Sequence, residues 1–307
     1  MEKVNFNKRY KRAKVASLFW TLFIGAGAVL GAVCMFVNPT GKASGMDGLL
    51  PGMQKLPFAS VLFQNLIFPG IALLLVNGVP NFVAAAFLFK NKKAGAQLTA
   101  VFGFTLMLWI TIQFVIYPLN ALSTIYFVFG IAELIAGYVC YVGYMQSTFD
   151  FDEKDYPSVG ADGSKLVVYF SRLSYTKKLA YQIADEKKAE ILQLKALEKT
   201  DGYLGFWWSG RFGMHRWGMP IENTGVDLKK YDEITICSPI WVFGLSAPVR
   251  EFCKRQNGNV KTVNYVLTHF MNSKFSSAAR EMDALLGVNH KSFRSFRCRF
   301  GRYKEIK

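Results

Sequence analysis

"VVYFSRLSYTKKLA", residues 167–180, passes from four strand-forming residues through a polar turn into a helix. Ser171-Arg172-Leu173-Ser174-Tyr175-Thr176 is the turn, and the helix is expected from about Thr176 to Lys187. At such a junction the backbone N–H groups of a helix N-terminus, two or three hydroxyls and the positive end of the helix dipole converge, which suits a phosphate. An ordinary Ser/Thr helix cap gives the same pattern.

Outward from this turn the alternation continues. "EILQL" (190–194), "EITICS" (233–238), "VNYVLTH" (263–269) and "KSFRSFRCRF" (291–300) read as further strands after "KLVVYF" (165–170). Helices are expected over about Ala247–Arg255 and Ser276–Leu286. Strands alternating with helices predict a parallel sheet covered on both faces, whose ligands bind beyond the carboxyl ends of the strands. After the third strand, "SPIWVFGLSAPVREF" (238–252) puts Trp241 and Phe243 on a loop shaped by Pro239 and Gly244. These rings either stack on a flat heterocycle, with glycine admitting its edge, or pack on their own domain. "THFMNSKF" after the fourth strand offers Thr268, His269 and Asn272 as polar edges.

Everything before residue 148 has a different character. Val15–Val37, Phe58–Phe89, Leu98–Tyr117 and Leu122–Met145 each supply about the twenty apolar residues that cross a bilayer core. The first is too long for the apolar core of a cleaved signal peptide and three more follow, so it reads as a retained membrane helix. The second is interrupted by Pro69 and Pro80 and is longer than needed, so a tilt, a kink or an interfacial end is expected. Lysines and arginines crowd the first fourteen residues and "KNKK" (90–93), whereas "PLNAL" (118–122) has no charge. That bias places the N-terminus, the 90s loop and everything after 146 in the cytoplasm. An integral protein of the cell membrane with four transmembrane helices is expected, over residues 1–147. "QSTFDFDEKDYPSVGADGS" (146–164) is acidic and broken by Pro157, Gly160 and Gly163, so 148–164 reads as a linker and 165–307 as the α/β domain.

Composition excludes several chemistries. Five cysteines form no CxxC pair, against a structural zinc site, an iron–sulfur cluster or a disulfide framework. The three histidines all lie beyond residue 148, against bis-histidine haem in the bundle. Glu133 is the one acid within a span, with Gln64, Asn65, Asn77, Asn81 and Gln113 as polar candidates around it. It reads either as a proton or quinone site or as a protonated carboxyl joining helices. No acid–base pair or nucleophile stands out for hydrolysis, and no catalytic residue is assigned. His269 is weighed as a proton donor against a side chain that fills the rim.

"VVYFSR…TKKLA…IA", "YDEITICSPIW…APVREF" and a strand ending in "LTH" resemble the flavodoxin family, in its short-chain bacterial branch. "LGFWWSGRFGMHRWGMPIE" (204–222) is similar to that branch's glycine- and aromatic-rich connection before the third strand. The resemblance covers about residues 165–300 and implies a five-stranded parallel sheet in the order 2-1-3-4-5 that binds FMN and passes single electrons. By that resemblance Ser171, Arg172, Ser174 and Thr176 surround the phosphate, with Tyr175 in the same loop. Pro239, Ile240, Trp241, Phe243 and Gly244 flank the ring, and Thr268, His269 and Phe270 line its other side. The family turn usually reads Ser-Arg-Thr-Gly-Asn-Thr, so Leu173 loses a hydroxyl, Ser174 replaces glycine and Tyr175 replaces asparagine. If the glycine position has positive φ, serine there is strained. The chain also lacks a clear closing helix after its fifth strand, so one sheet face is expected to lean on the membrane or on another subunit.

The net charge is +16, and residues 291–307 carry seven Lys+Arg against one Glu. Family members are commonly acidic, which disfavours the reduced anionic flavin; a basic domain implies a raised potential. The other account is a tail lying on anionic headgroups, worth about 1 kcal/mol per basic side chain. Such a membrane contact accounts for the charge without nucleic acid. Two functions therefore stand: a membrane-anchored carrier passing electrons from a soluble donor to a membrane redox partner such as a quinone, or a flavin-free docking module fixed to a lipid bilayer. The oligomeric state is not legible.

Overall fold

The computed structural model describes residues 2–117 and 119–307, and the chain divides between Thr148 and Phe149 into two compact units. In the first, α1 (Glu2–Val37), α2 (Leu50–Met53), α3 (Ala59–Leu62), α4 (Ile67–Leu73), α5 (Val79–Phe89), α6 (Lys93–Ile116) and α7 (Ala121–Ser147) follow one another. A single π turn, Leu74–Gly78, joins α4 to α5, so Ile67–Phe89 runs on as one long helix. Pro80 stands at the start of α5 and has no N–H to give the preceding turn, and the widened turn absorbs the missing bond. Part of the expected Phe58–Phe89 span is thus spent on α3 and a short connection. The expected turn from 118 to 122 includes Pro118, which lies outside the described residues.

Asn7–Val37, Ile67–Phe89, Lys93–Ile116 and Ala121–Ser147 are long and apolar enough to cross a membrane. Their outer faces carry bare Phe19, Leu30, Ile112 and Val115, a surface matched to lipid rather than water. Inside, Ile24, Leu106 and Ile110 pack within a ring of aromatics that includes Trp20, Trp109 and Phe129. α6 and α7 approach to backbone contact: a Cβ on Gly103 would overlap Leu134, and one on Gly137 would overlap Ala100. Small residues at a helix crossing permit this approach, which supplies the van der Waals attraction that replaces a hydrophobic driving force in lipid.

The second unit contains β1 (Asp162–Tyr169), α8 (Tyr175–Lys187), β2 (Ala189–Gln193), α9 (Gly202–Met214), β3 (Glu233–Trp241), β4 (Gly244–Leu245), α10 (Ala247–Arg255), β5 (Val263–His269), α11 (Ser276–Leu286), β6 (Ser292–Arg299) and β7 (Arg302–Glu305). Its sheet has seven strands, in the path β2-β1-β3-β5-β6-β7 with β4 paired to β3. The expectation of five strands ordered 2-1-3-4-5 is corrected in this way. The pairs β2–β1–β3–β5–β6 are parallel, while β4 and β7 fold back antiparallel onto their predecessors. β4 is only two residues long, and β7, "RYKE", is polar as an edge strand should be.

Alternate residues of the central strands enter two cores. Leu166, Val168, Ile234 and Ile236 meet α10 and α11 through Val249, Phe252 and Met282. Val167, Tyr169 and Val266 meet Leu179 and Ile183 of α8 on the other face. There Val159 and Tyr303 pack against the core, and Phe149 lies edge-on to Tyr175 at 4.7 Å. Chain segments before β1 and after β6 therefore cover part of this face.

Candidate functional site

The carboxyl ends of β1, β3 and β5 lie side by side, and their loops form one rim. Pro239 on β3 pairs with Thr268 on β5. The turn after β1 is tied to the same place, because Thr176 Oγ1 and Thr268 Oγ1 share a 2.7 Å hydrogen bond, both groups being buried. The hydroxyl-bearing turn and the strand ends named in the sequence therefore converge.

Their side chains are not all turned to a ligand. Ser174 caps α8 with φ +59 and is buried, a left-handed conformation costing an L-residue roughly 1–2 kcal/mol. Ser171 is half-buried beside it. Arg172 donates from Nη1 to the Thr200 carbonyl at 3.5 Å and lies over the Phe206 ring, so it engages the connection leading into α9. Tyr175, expected in the phosphate loop, is instead the first residue of α8. Its ring packs on Phe149 and its hydroxyl is buried without a partner, which drives its pKa upward. Thr176 spends its hydroxyl on Thr268. The groups of this turn that face an anion are the Ser171 hydroxyl and the Ser171–Ser174 backbone with the first amides of α8, which have no acceptor within the helix.

The segment expected as a loop after the third strand is a strand end and a tight hairpin. Ile240 and Trp241 belong to β3, Gly244 opens β4, and Trp241 pairs with Gly244 across a two-residue turn. Val242 (φ +45) and Phe243 (φ +60) both take left-handed conformations, the geometry of a type I′ turn that ordinarily selects Asn-Gly. For β-branched Val242 this is a true outlier, and strain of this kind gathers at functional sites. The result is positional. Trp241 meets Phe170 edge-on at 5.4 Å, and Phe243 is held out with 64% of its surface bare. The Gly244 backbone is already covered: a Cβ there would collide with the Arg216 guanidinium. Arg250, fully buried on α10, holds this approach in place by pairing with Glu281 and donating to the Trp217 carbonyl at 3.1 Å.

After β5, His269 is buried rather than lining the rim. Its Nε2 shares a 2.8 Å hydrogen bond with Ser295 Oγ, its ring leans on Phe275, and burial lowers its pKa. Phe270 is the residue there that stands free, 73% exposed.

Sequence reasoning missed α9. It presents Leu204, Phe206, Trp207 and Trp208 outward, and with Glu198, Lys199 and Arg211 it lines an open groove of about 580 Å³. Trp208 donates to Glu198 at 2.9 Å, and Arg211 lies over the rings of Trp208 and Trp217. The i, i+3, i+4 spacing of Leu204, Trp207, Trp208 and Arg211 was the available signal, concealed by four glycines in thirteen residues. Cys237, two residues before Pro239 on β3, is fully buried, and desolvation pushes its pKa up to about 12, which makes it a poor thiolate nucleophile.

No family model matches the chain, and no curated protein matches it. Among solved structures, a flavoprotein from Lactobacillus acidophilus described in complex with FMN is 21% identical, over 44% of this chain and 93% of its own, with a TM-score of 0.37. A provisionally assigned flavoprotein from Bacteroides eggerthii is 19% identical over 45% and 91%, with a TM-score of 0.40. Another from Bacteroides uniformis is 23% identical over 43% and 89%, with a TM-score of 0.39.

Proposed function

We propose that the chain is a membrane-anchored, flavodoxin-like protein that binds FMN and moves electrons between a soluble donor and a membrane acceptor such as a quinone. The observation carrying this reading is the Thr176–Thr268 hydrogen bond, which unites the hydroxyl-bearing turn with an aromatic rim at the ends of one parallel sheet. A ligand with a phosphate at one end and a flat apolar ring at the other matches those two parts. Ser171, the Ser174 backbone and the first amides of α8 would hold the phosphate, while Trp241, Phe243 and Phe270 would flank the ring. FMN, when bound, supplies the one-electron chemistry that no side chain here offers. The chain's own contribution is to hold, orient and shield it. The four apolar helices anchor the unit, and the basic N-terminus and 90s loop favour a cytoplasmic site.

The full-length protein purified in detergent or nanodiscs tests this. Flavin absorbance, or quenching of FMN fluorescence on titration, supports the reading. A colourless protein that ignores added FMN supports the second one, a flavin-free docking module. That alternative draws on the engagement of Arg172, Tyr175 and Thr176 with internal partners and on the strain at Ser174.

A further inference from the structure

The bundle contains a carboxyl group for which anchoring has no use. Glu133 on α7 is wholly buried, and neither carboxyl oxygen has a hydrogen-bond partner. Both side-chain amide atoms of Asn77 and Oδ1 of Asn81 are likewise buried and unpartnered, and Ser17 Oγ on α1 is buried beside the Cys140 thiol. Each such group costs about 1–3 kcal/mol in a protein interior, so several of them in one small bundle call for a physical reason.

Helix contacts put these groups near one level. α1 and α7 run antiparallel: Gly143 abuts Tyr10, and Gly27 abuts the Tyr126 hydroxyl. Glu133 therefore stands level with Trp20 and Thr21, and Trp20 meets Phe129 one turn away at 5.3 Å. On the other side of α1, Gly25 abuts Asn81, while Gly78 lies against Ala28 and Val29. At 1.5 Å per residue, Ser17 and Asn81 lie within about 7 Å of the Glu133 level along the bundle axis, one below and one above. Asn77 follows a turn beyond Asn81, inside the π turn itself, a distortion frequent at functional sites. These polar groups thus fall within about 18 Å of one another along the axis of an otherwise apolar bundle.

No cation is available to neutralise an ionised Glu133. The sequence has no Lys, Arg or His in 15–41, 56–89 or 94–147. Around it, α1 presents Lys14, already held by Asn91 at 2.7 Å, and Tyr10 beside Tyr144; α5 presents no titratable side chain; α6 presents only Lys93 at its first residue; and α7 itself adds Cys140, Tyr126, Tyr138, Tyr141 and Tyr144. An isolated carboxylate in such surroundings neutralises itself by taking a proton.

We infer that Glu133 is a proton-binding site inside the bundle, hydrated and connected through Ser17, Asn81 and Asn77, rather than a sealed strut between helices. The inference rests on the helices spanning a membrane and is independent of FMN. It is tested on the full-length protein in lipid nanodiscs by infrared difference spectroscopy. At neutral pH one protonated-carboxyl band is expected that Glu133→Gln loses. The band should shift on transfer to D₂O, fade as the pH is raised, and ignore sodium and potassium at fixed pH. Asn81→Leu should slow the D₂O shift severalfold while leaving the band in place. If Glu133→Gln does not fold, Glu133→Asp, which moves the band, makes the same assignment. A band that neither exchanges nor titrates overturns the inference in favour of a sealed strut, and displacement by sodium or potassium overturns it in favour of a cation site. A chain that fails to enter nanodiscs overturns the membrane reading instead.

Discussion

Two turns at the sheet rim hold non-glycine residues in left-handed backbone, and they do so to different ends. In the turn after β1 the left-handed residue is Ser174, buried at the helix cap. In the β3–β4 hairpin they are Val242, which packs against Gly213 of α9, and Phe243, whose ring stands out in solvent. The first strain sits under a candidate phosphate site and aims backbone amides. The second aims an aromatic ring. Relaxing each separately should therefore separate stability from binding, which no comparison of contacts alone can do.

Removing what both turns lean on should have the largest effect. Trp241 joins the hairpin to Phe170 at the end of β1. Trp241→Ala is expected to cost about 3 kcal/mol of stability in the α/β unit and to abolish measurable FMN binding. Urea denaturation and FMN titration check the two arms. Retained FMN affinity in a folded variant would remove the hairpin from the site.

Next comes the bond that ties the first turn to β5. Thr268→Val leaves the buried Thr176 hydroxyl without its 2.7 Å partner. An unsatisfied buried hydroxyl costs about 1–3 kcal/mol, and the turn it steadied should bind FMN less tightly. An unchanged urea midpoint would show that Thr176 finds another partner and that the convergence of the two loops is incidental.

Relaxing the turns themselves sharpens the contrast. Phe243→Gly removes a Cβ from left-handed backbone, a gain of about 1 kcal/mol or less once unfolded-chain entropy is counted, yet it should weaken FMN binding by removing a ring face. Ser174→Gly offers a similar gain but should tighten binding, because the amides stay and the strain goes. If both variants moved stability and affinity in the same direction, the two turns would share one role.

The sequence made some of this legible and hid the rest for identifiable reasons. Four apolar runs were plain because about twenty apolar residues in succession stand out by composition alone, and the parallel strands were plain because both of their faces are buried. Serine at a position that favours glycine flagged the strain now seen at Ser174. The hairpin escaped because Val242-Phe243 is the opposite of what a type I′ turn selects, and α9 escaped behind its glycines. Neither the engagement of Arg172 nor that of Tyr175 could be read locally. Their partners, Thr200 and Phe149, lie 28 and 26 residues away, and only folding brings them together.

The smallest effect concerns His269, the polar residue that the rim keeps indoors. Burial lowers its pKa in the folded state, so the neutral imidazole is the form the fold prefers. The unfolded chain keeps a pKa of about 6.5 and binds a proton first as the pH falls. Stability contributed by the neutral ring is therefore complete above about pH 6.5 and is lost as the pH drops through the lowered folded value. Between about pH 8 and about pH 5 the urea midpoint of the α/β unit, followed by pulse proteolysis, should fall, and His269→Gln should remove part of that slope. Because the His269 Nε2 is engaged with Ser295 of β6, FMN affinity in that variant should stay close to the parent's. A variant that keeps the slope but loses FMN would place the imidazole in the ligand's path and reverse its assignment as a buried support.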